Sequence, residues 1–260
     1  VSSALDELLL RRPAIDLAAV KATTDLQQRH EAKYVLAADT VTDLVTALAS
    51  DWHVLEVAGT RSTAYHSAYF DDENFGLFRD HVQGRRLRYK VRTRRYGDSP
   101  ESLLEVKLKS GRGATDKRRL ARDISAGPEL NDDERRWVTD TVRGAYGNRV
   151  VGPLHRVLTL EYTRRTLVNP LTSERLTIDT GLTASDPSNA SISTTAPVGD
   201  AVVIEVKSSD WYGQTVRLLQ HRLIRPLTFS KYCASLAALH PELDQRARQR
   251  AQRSFAMSAT

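Results

Sequence analysis

The sequence predicts an α+β fold: an antiparallel sheet of eight or nine strands that closes on itself with its charged face inward, and helices packed outside. Three observations carry this expectation. The segments that read as strands do not alternate with helices in the way a parallel sheet requires. Several are long and joined by short turns such as Gly97-Asp98-Ser99-Pro100, which favours an antiparallel meander. Five of them place cations and carboxylates on one face and mainly apolar residues on the other.

Along the chain, Leu5, Leu8, Leu9, Ile15 and Val20 among polar residues predict one or two short helices over 3–22, divided by Pro13. Strands follow over 28–36, 53–58, 62–70, 85–96, 102–109, 116–122, 154–168, 174–180 and 201–208. A helix over 40–50 has the apolar face Val41, Leu44, Val45 and Leu48, and further helices are expected over 72–82 and 131–144. In the last of these, Asn131 and Glu134 have capping-box spacing. The Ser-, Thr-, Ala- and Pro-rich stretch 183–200 reads as a loop, and helices over 212–223, 229–239 and 241–256 complete the chain. The implied division is a helical segment 1–27, a main domain 28–240, and a C-terminal helix and tail 241–260.

Composition narrows the function. With 40% hydrophobic and 27% charged residues, the 260-residue chain is globular and not disordered. No apolar run approaches the roughly 18 residues of a membrane span, and no basic-then-apolar leader opens the chain, so a cytoplasmic location is expected. Cys233 is the sole cysteine, which excludes an internal disulfide and a cysteine metal cluster. A net charge of +6 points to an anionic partner. The histidines form no H-x-x-x-H pair, no serine sits in G-x-S-x-G, and no G-x-x-x-x-G-K-[ST] loop is present. Trp52, Trp137 and Trp211 are expected to pack in the core or against helices.

The charged faces carry the chemistry. Over 85–96, Arg86, Arg88, Lys90, Arg92 and Arg94 share one face, opposite Leu87, Tyr89, Val91 and Thr93. Glu105, Lys107 and Lys109 share another, as do Arg175, Thr177 and Asp179, then Glu205 and Lys207, then Arg29, Glu31 and Lys33. A solvated face explains alternation but not this choice of residues. Like charges abreast in a sheet destabilise by up to about 1 kcal/mol per pair, so a row of cations is favoured only beneath something anionic. Inside a closed sheet, Arg and Lys can each meet phosphate oxygens. Glu31, Glu105, Glu161, Asp179 and Glu205 are then candidate ligands of a hard divalent metal, or ion-pair partners that hold the arginines straight. Tyr89 and Tyr96 among the cations are compatible with single-stranded nucleic acid, although an open groove has little use for the interleaved carboxylates.

An ordered series of motifs resembles the VTC domain of polyphosphate polymerases, within the triphosphate tunnel metalloenzyme superfamily. It comprises Arg29-His30-Glu31-Ala32-Lys33-Tyr34, Tyr69-Phe70-Asp71, Lys90 to Gly97, Glu105-Val106-Lys107 and Lys117. It continues with Tyr162-Thr163-Arg164, Arg175 to Asp179, Glu205-Val206-Lys207 and Phe229-Ser230-Lys231-Tyr232. The resemblance implies a closed antiparallel eight-stranded β-tunnel with helices packed outside. It also implies transfer of the ATP γ-phosphoryl group onto polyphosphate with Mn²⁺ or Mg²⁺; a tunnel triphosphatase and a non-catalytic polyanion binder are the alternatives.

Carried onto this sequence, it makes Lys33, Arg92, Arg94 and Lys231 the catalytic set. Arg29, Lys90, Lys107, Lys109, Lys117, Arg164, Arg175 and Lys207 bind substrate, and Glu205, Glu31 and Asp179 hold the metal. Strand alternation leaves open whether Arg164 or Arg165 faces inward. Arg29 stands where related phosphohydrolases carry the first glutamate of E-x-E-x-K, which favours the polymerase branch. Partners are expected to be ATP or another triphosphate and polyphosphate, not DNA or RNA; whatever regulates or exports the product is missing or carried by other chains.

Overall fold

The computed structural model describes residues 2–24, 30–109, 115–147, 149–188, 193–194, 202–209, 211–228, 230–240, 242–243 and 249. Arg29, Phe229 and nearly all of the helix expected over 241–256 lie outside them. The chain opens with α1 (Ser2–Leu10), β1 (Ala14–Ile15) and α2 (Leu17–Thr24), divided at Pro13 as expected. Then come β2 (His30–Leu36), α3 (Ala38–Ala47), β3 (His53–Leu55), β4 (Thr63–Asp71) and α4 (Gly76–Val82). The meander β5 (Arg88–Tyr96), β6 (Glu101–Lys109) and β7 (Thr115–Asp123) leads to α5 (Asp132–Tyr146). The chain continues through β8 (His155–Asn169), β9 (Glu174–Ser185), β10 (Ser193–Thr194), β11 (Val202–Ser208), α6 (Gln214–His221) and α7 (Lys231–Leu239).

Local chemistry sets several boundaries. Asn131 accepts from Glu134 N–H and the Glu134 side chain accepts from Asn131 N–H, so the capping box forms and fixes the start of α5. The helix expected from residue 72 starts at Gly76 instead. Asp72 Oδ1 accepts from the N–H groups of Asn74 and Gly76 at 2.9 and 3.0 Å, and Phe75 is left-handed at φ 54°. β3 is three residues long because the chain turns back between Val57 and Thr60 through Gly59 at φ 73°. β9 runs past its expected end at residue 180. Gly181, at φ 62°, lies where the β8–β9 register shifts by one residue, so the glycine marks a bulge and not a stop.

Eight strands form an antiparallel sheet in the order β2-β11-β9-β8-β4-β5-β6-β7, with β1, β3 and β10 attached at its margins. Two helical layers cover the outer face. Leu5 and Leu9 of α1, Val41, Leu44 and Val45 of α3 and Leu219 of α6 pack with Trp52 against Tyr34, Ile204, Val206, Leu176 and Ile178. Val138 and Val142 of α5 pack on Tyr89, Val91, Leu104, Val106 and Leu108. α7 occupies the inner face: its Ala234 meets Val35, Tyr162, Leu182 and Val203, and its Leu236 packs with Leu158 and Leu160.

The sheet is α+β and antiparallel as expected, but among the described residues it is not closed. β2 and β7 are its two edges and do not pair. Both edges have physical reasons. β7 is exposed along most of its length and carries charge on both faces, with Leu120 packed into the core under α5. The free edge of β2 is met instead by the segment after α6, whose Leu227 N–H donates to Lys33 O at 2.7 Å.

Candidate functional site

Alternation now assigns each charged strand a direction. Register pairs Tyr69 with Arg92, Arg92 with Glu105 and Glu105 with Arg119, so these four share one side of the sheet. The same reckoning adds Ser67 opposite Arg94, Tyr65 opposite Tyr162, and Thr63 opposite Arg164. Lys33 pairs with Glu205, and Lys207 with both Glu31 and Arg175. All stand opposite the faces packed under α1, α3, α5 and α6.

The sheet is curled enough to bring its two ends together over this face. β2 and β6 are six strands apart in order, about 29 Å across a flat sheet. Yet Glu31 and Lys33 on β2 act on the charge of Lys107 on β6, and Lys33 acts on Lys90 of β5. The inward side chains of all eight strands therefore ring one concavity, which remains open along the β2–β7 edge.

Within it, three carboxylate centres organise the cations. Glu105, only 1% exposed, receives Arg92 at 2.6 Å, Arg119 at 3.0 Å and Lys117 at 3.5 Å. Burial raises its pKa, but Arg92, Arg94 and Lys117 outweigh this and hold it at about 2. Asp179 is equally buried; Arg164 grips both its oxygens at 2.6 and 2.7 Å and Lys231 reaches it at 2.5 Å. The third centre is the pair Glu31 and Glu205, which pair with Lys33 and Lys207 respectively, while Lys207 also reaches Glu31 at 3.7 Å. Burial disfavours the Glu205 carboxylate, yet Lys207, Lys33 and Arg164 hold it well below the usual range.

Three other cations there, Arg94, Lys90 and Lys107, make no ion pair with a carboxylate among the described residues. Arg94, 8% exposed, donates to Ser67 Oγ at 3.3 Å and Tyr162 Oη at 3.4 Å and lies 5.2 Å over the Tyr65 ring. Lys90 donates to Ser230 Oγ at 2.7 Å, and burial lowers its pKa. Desolvation lowers Lys107 to about 8, with Lys33 and Lys90 adding to it against Glu31. Lys117 falls to about 8 for the same first reason, although its side chain is 37% exposed. Tyr69 completes the group. Burial raises its phenol, but Arg92, Arg94 and Lys90 reverse this to about 8, and Arg92 Nη1 donates to its oxygen at 3.0 Å.

The sequence-expected residues sort as follows. Lys33, Lys90, Arg92, Arg94, Lys107, Lys117, Arg164, Arg175, Lys207, Lys231, Glu31, Asp179 and Glu205 share the concave side. Arg164 faces in; Arg165 faces out and pairs with Asp6 of α1 at 2.5 and 2.9 Å. Lys109 sits at the end of β6, 3.4 Å from Thr115 Oγ1, and Arg29 lies outside the described residues. Glu161, a candidate metal ligand by alternation, is on the outer face, paired with His66 at 3.0 Å. Tyr89 likewise points out, into the core beneath α5, and so stands apart from the inward cations, with Arg149 over its ring instead. Trp211, expected in the core or against helices, is 63% exposed.

Sequence reasoning missed Arg119, Ser67 and Tyr65, and named Tyr69 only as part of a motif. Arg119 was findable, two residues from Lys117 on one strand; Tyr65 and Tyr69 share a face by the same period.

A profile of the VTC domain matches residues 28–240. The chain belongs to the VTC domain family. Among solved structures, this VTC domain is similar to a putative adenylyl cyclase from Hippeastrum described as having a dominant triphosphatase activity. The similarity covers 81% of this chain and 96% of that one, at 14% identity and a TM-score of 0.46. A putative adenylate cyclase from Bacillus halodurans is similar over 77% of this chain and 92% of its own, at 14% identity and a TM-score of 0.47. No curated protein matches. Among the described residues of the VTC domain no helix is long and apolar enough to cross a membrane.

Proposed function

We propose that this VTC domain transfers the γ-phosphoryl group of ATP onto a growing polyphosphate chain within the cation-lined concavity. The observation that carries the reading is the surplus of positive charge there. Lys90, Arg94 and Lys107 lack carboxylate partners among the described residues, and each lies near other cations. Such an arrangement is costly when empty and favourable once a polyanion lies within it.

Phosphoryl transfer needs positioning and charge stabilisation more than covalent chemistry. Arg92, Arg94 and Lys33 hold the transferring phosphoryl group, and Lys231 meets it from the start of α7. Lys90, Lys107, Lys117, Arg164, Arg175 and Lys207 hold the remaining phosphates, with Lys109 at the rim. The bond between the γ-phosphorus and its bridging oxygen breaks, ADP leaves with that electron pair, and an oxygen of the chain's terminal phosphate forms the new bond. That oxygen is already anionic, so no general base is required. Asp179 keeps Arg164 and Lys231 aligned.

The residues also fit a divalent metal. Glu31 and Glu205 are neighbouring carboxylates that both face the concavity, and the Glu205 charge opposes ionisation of Glu31 although nearby lysines keep Glu31 below its ordinary value. Among the described residues no three His, Cys, Asp or Glu side chains cluster as a metal site. Two carboxylates completed by phosphate oxygens and water suit Mg²⁺ or Mn²⁺ and no all-protein cage. When bound, such an ion neutralises phosphate charge.

Incubation with ATP and Mn²⁺, resolved on a polyacrylamide gel, tests the reading. Polyphosphate chains that lengthen with time support it. Release of orthophosphate alone would make the protein a triphosphatase, and no turnover with salt-sensitive, metal-independent binding would make it a polyanion binder.

A further inference from the structure

The outer face of the sheet carries a second cluster of cations that the concavity does not use. Register sets His66 opposite Arg95, Arg95 opposite Ser102 and Ser102 opposite Arg122, so the four form one row across β4, β5, β6 and β7. Alternation turns this row away from Ser67 and Arg94, whose side chains face the concavity. The helical layer stops before it: α5 covers Tyr89, Val91 and Leu104 but not Arg95 or Ser102. Here lies a cavity of about 170 Å³, walled by the row and by Arg156, with Gly127 and Pro128 of the β7–α5 connection at its margin. No Asp or Glu is among its walls.

Two of these cations are short of partners. No hydrogen bond or ion pair reaches the Arg95 side chain among the described residues. Arg156 Nε is buried without a hydrogen-bond partner, and Glu129 Oε1 stands 3.6 Å from it, in range of an ion pair only. The other two are anchored. Arg122 donates to Glu134 and to the Glu129 carbonyl at 2.5 and 2.6 Å, and His66 meets Glu161 at 3.0 Å. A buried guanidinium N–H without an acceptor costs free energy, as does crowding Arg95, Arg122 and Arg156 round one space; an anion there relieves both. The volume is below the roughly 300–1,000 Å³ of a drug-sized ligand's pocket, which suits one phosphate group and not a nucleotide.

We propose that this cavity is a second anion site, on the opposite side of the sheet from the concavity, and that it holds one monophosphate group. Arg95 and Arg156 donate to its oxygens, with guanidinium geometry suited to them, and Arg122, fixed by Glu134, adds charge beside them. The site stands apart from the polymerase reading: it is the same whether the concavity extends polyphosphate or hydrolyses triphosphate.

Titration of the unaltered, isotope-labelled protein with orthophosphate, followed by NMR through its arginine Nε–H signals, tests this. The signals of Arg95 and Arg156 should shift together and saturate. Arg95→Gln should weaken that binding about tenfold or more, the scale of one lost charge-assisted pair, while calorimetry shows inorganic tripolyphosphate bound within about twofold of the unaltered protein. Orthophosphate that shifts only Arg92 and Arg94 of the concavity, or none of these signals, would overturn the site, as would undiminished binding in Arg95→Gln. A parallel titration with glycerol phosphate distinguishes the source of the group. Tighter binding than orthophosphate assigns it to an ester and weaker binding to the free anion, and either supports a monophosphate site.

Discussion

The hydroxyl of Tyr232 donates to Oδ2 of Asp71, joining the start of α7 to the junction of β4 and α4. Asp71 is fully buried and also accepts from the N–H groups of Leu77 and Phe78 at 2.8 and 2.9 Å, so it caps α4 and anchors α7 at once. The consequence reaches the site. Tyr232 stacks on Tyr69, while Ser230 and Lys231, the two residues before it, turn to Lys90 and Asp179. Tyr69-Phe70-Asp71 and Ser230-Lys231-Tyr232, two of the motifs that carry the family resemblance, are thus partly structural.

Tyr232→Phe should lower unfolding free energy by about 1–3 kcal/mol, the cost of leaving a buried acceptor short of a donor. The effect has a pH dependence. Burial raises the Asp71 pKa to about 6 against the pull of its hydrogen bonds, so its contribution is full below the ordinary carboxylate pKa and lost as pH rises through 6. Losing the Tyr232 donor raises it further. Urea unfolding should show a larger deficit at pH 8 than at pH 5; a deficit equal at both would contradict this.

Arg94 and Arg92 separate function from stability. Arg94 acts on Glu105 only at a distance whereas Arg92 binds it directly, so Arg94→Ala removes a phosphate donor at the smaller cost to stability. Activity should fall about 100-fold or more, with a smaller loss of thermal stability than in Arg92→Ala. Arg92→Ala should lose as much activity and more stability, because it strips Glu105 of its nearest cation. Turnover assays and thermal melts on both variants check the split.

Triphosphate affinity should fall as pH rises through 8. Lys107 and Lys117, lowered to about 8, each lose a positive charge there, and Tyr69, also at about 8, gains a negative one. All three changes oppose an anion. A bound anion raises each of these pKa values, and one unit per group corresponds to about tenfold in affinity between pH 7 and 9. Tyr69→Phe should flatten the profile, measured by titration with the methylene analogue of ATP.

Glu205→Gln should raise the Mn²⁺ concentration for half-maximal activity by about tenfold or more, because one of two carboxylates is lost. Glu161→Gln, on the outer face, should not change it. Activity titrated against Mn²⁺ after chelator treatment distinguishes the two.

Much of this was legible in the sequence. Period-two alternation named the inward residues of β5, β6, β9 and β11, because a strand's geometry leaves no other choice once one face is apolar. The capping box placed α5. What failed depended on information beyond a single strand. Glu161 obeys alternation but alternates to the outside, since Tyr162 and Arg164 take the inner positions although Leu158 and Leu160 precede them. Those leucines are inward because α7 covers that end, a tertiary fact invisible in β8 alone. Closure of the sheet was likewise beyond the pattern: β7 has the right residues inward and too many charges outward to seal against β2.

The central claim is that the converging cations hold the phosphates of ATP. A crystal structure with a non-hydrolysable ATP analogue and Mn²⁺ tests it most directly. The account expects phosphate oxygens within hydrogen-bonding distance of Arg92, Arg94 and Lys33, with the ion on Glu205. The analogue's phosphates bound outside the concavity and not within it, for example against Arg95, which pairs with the outward His66, would contradict it.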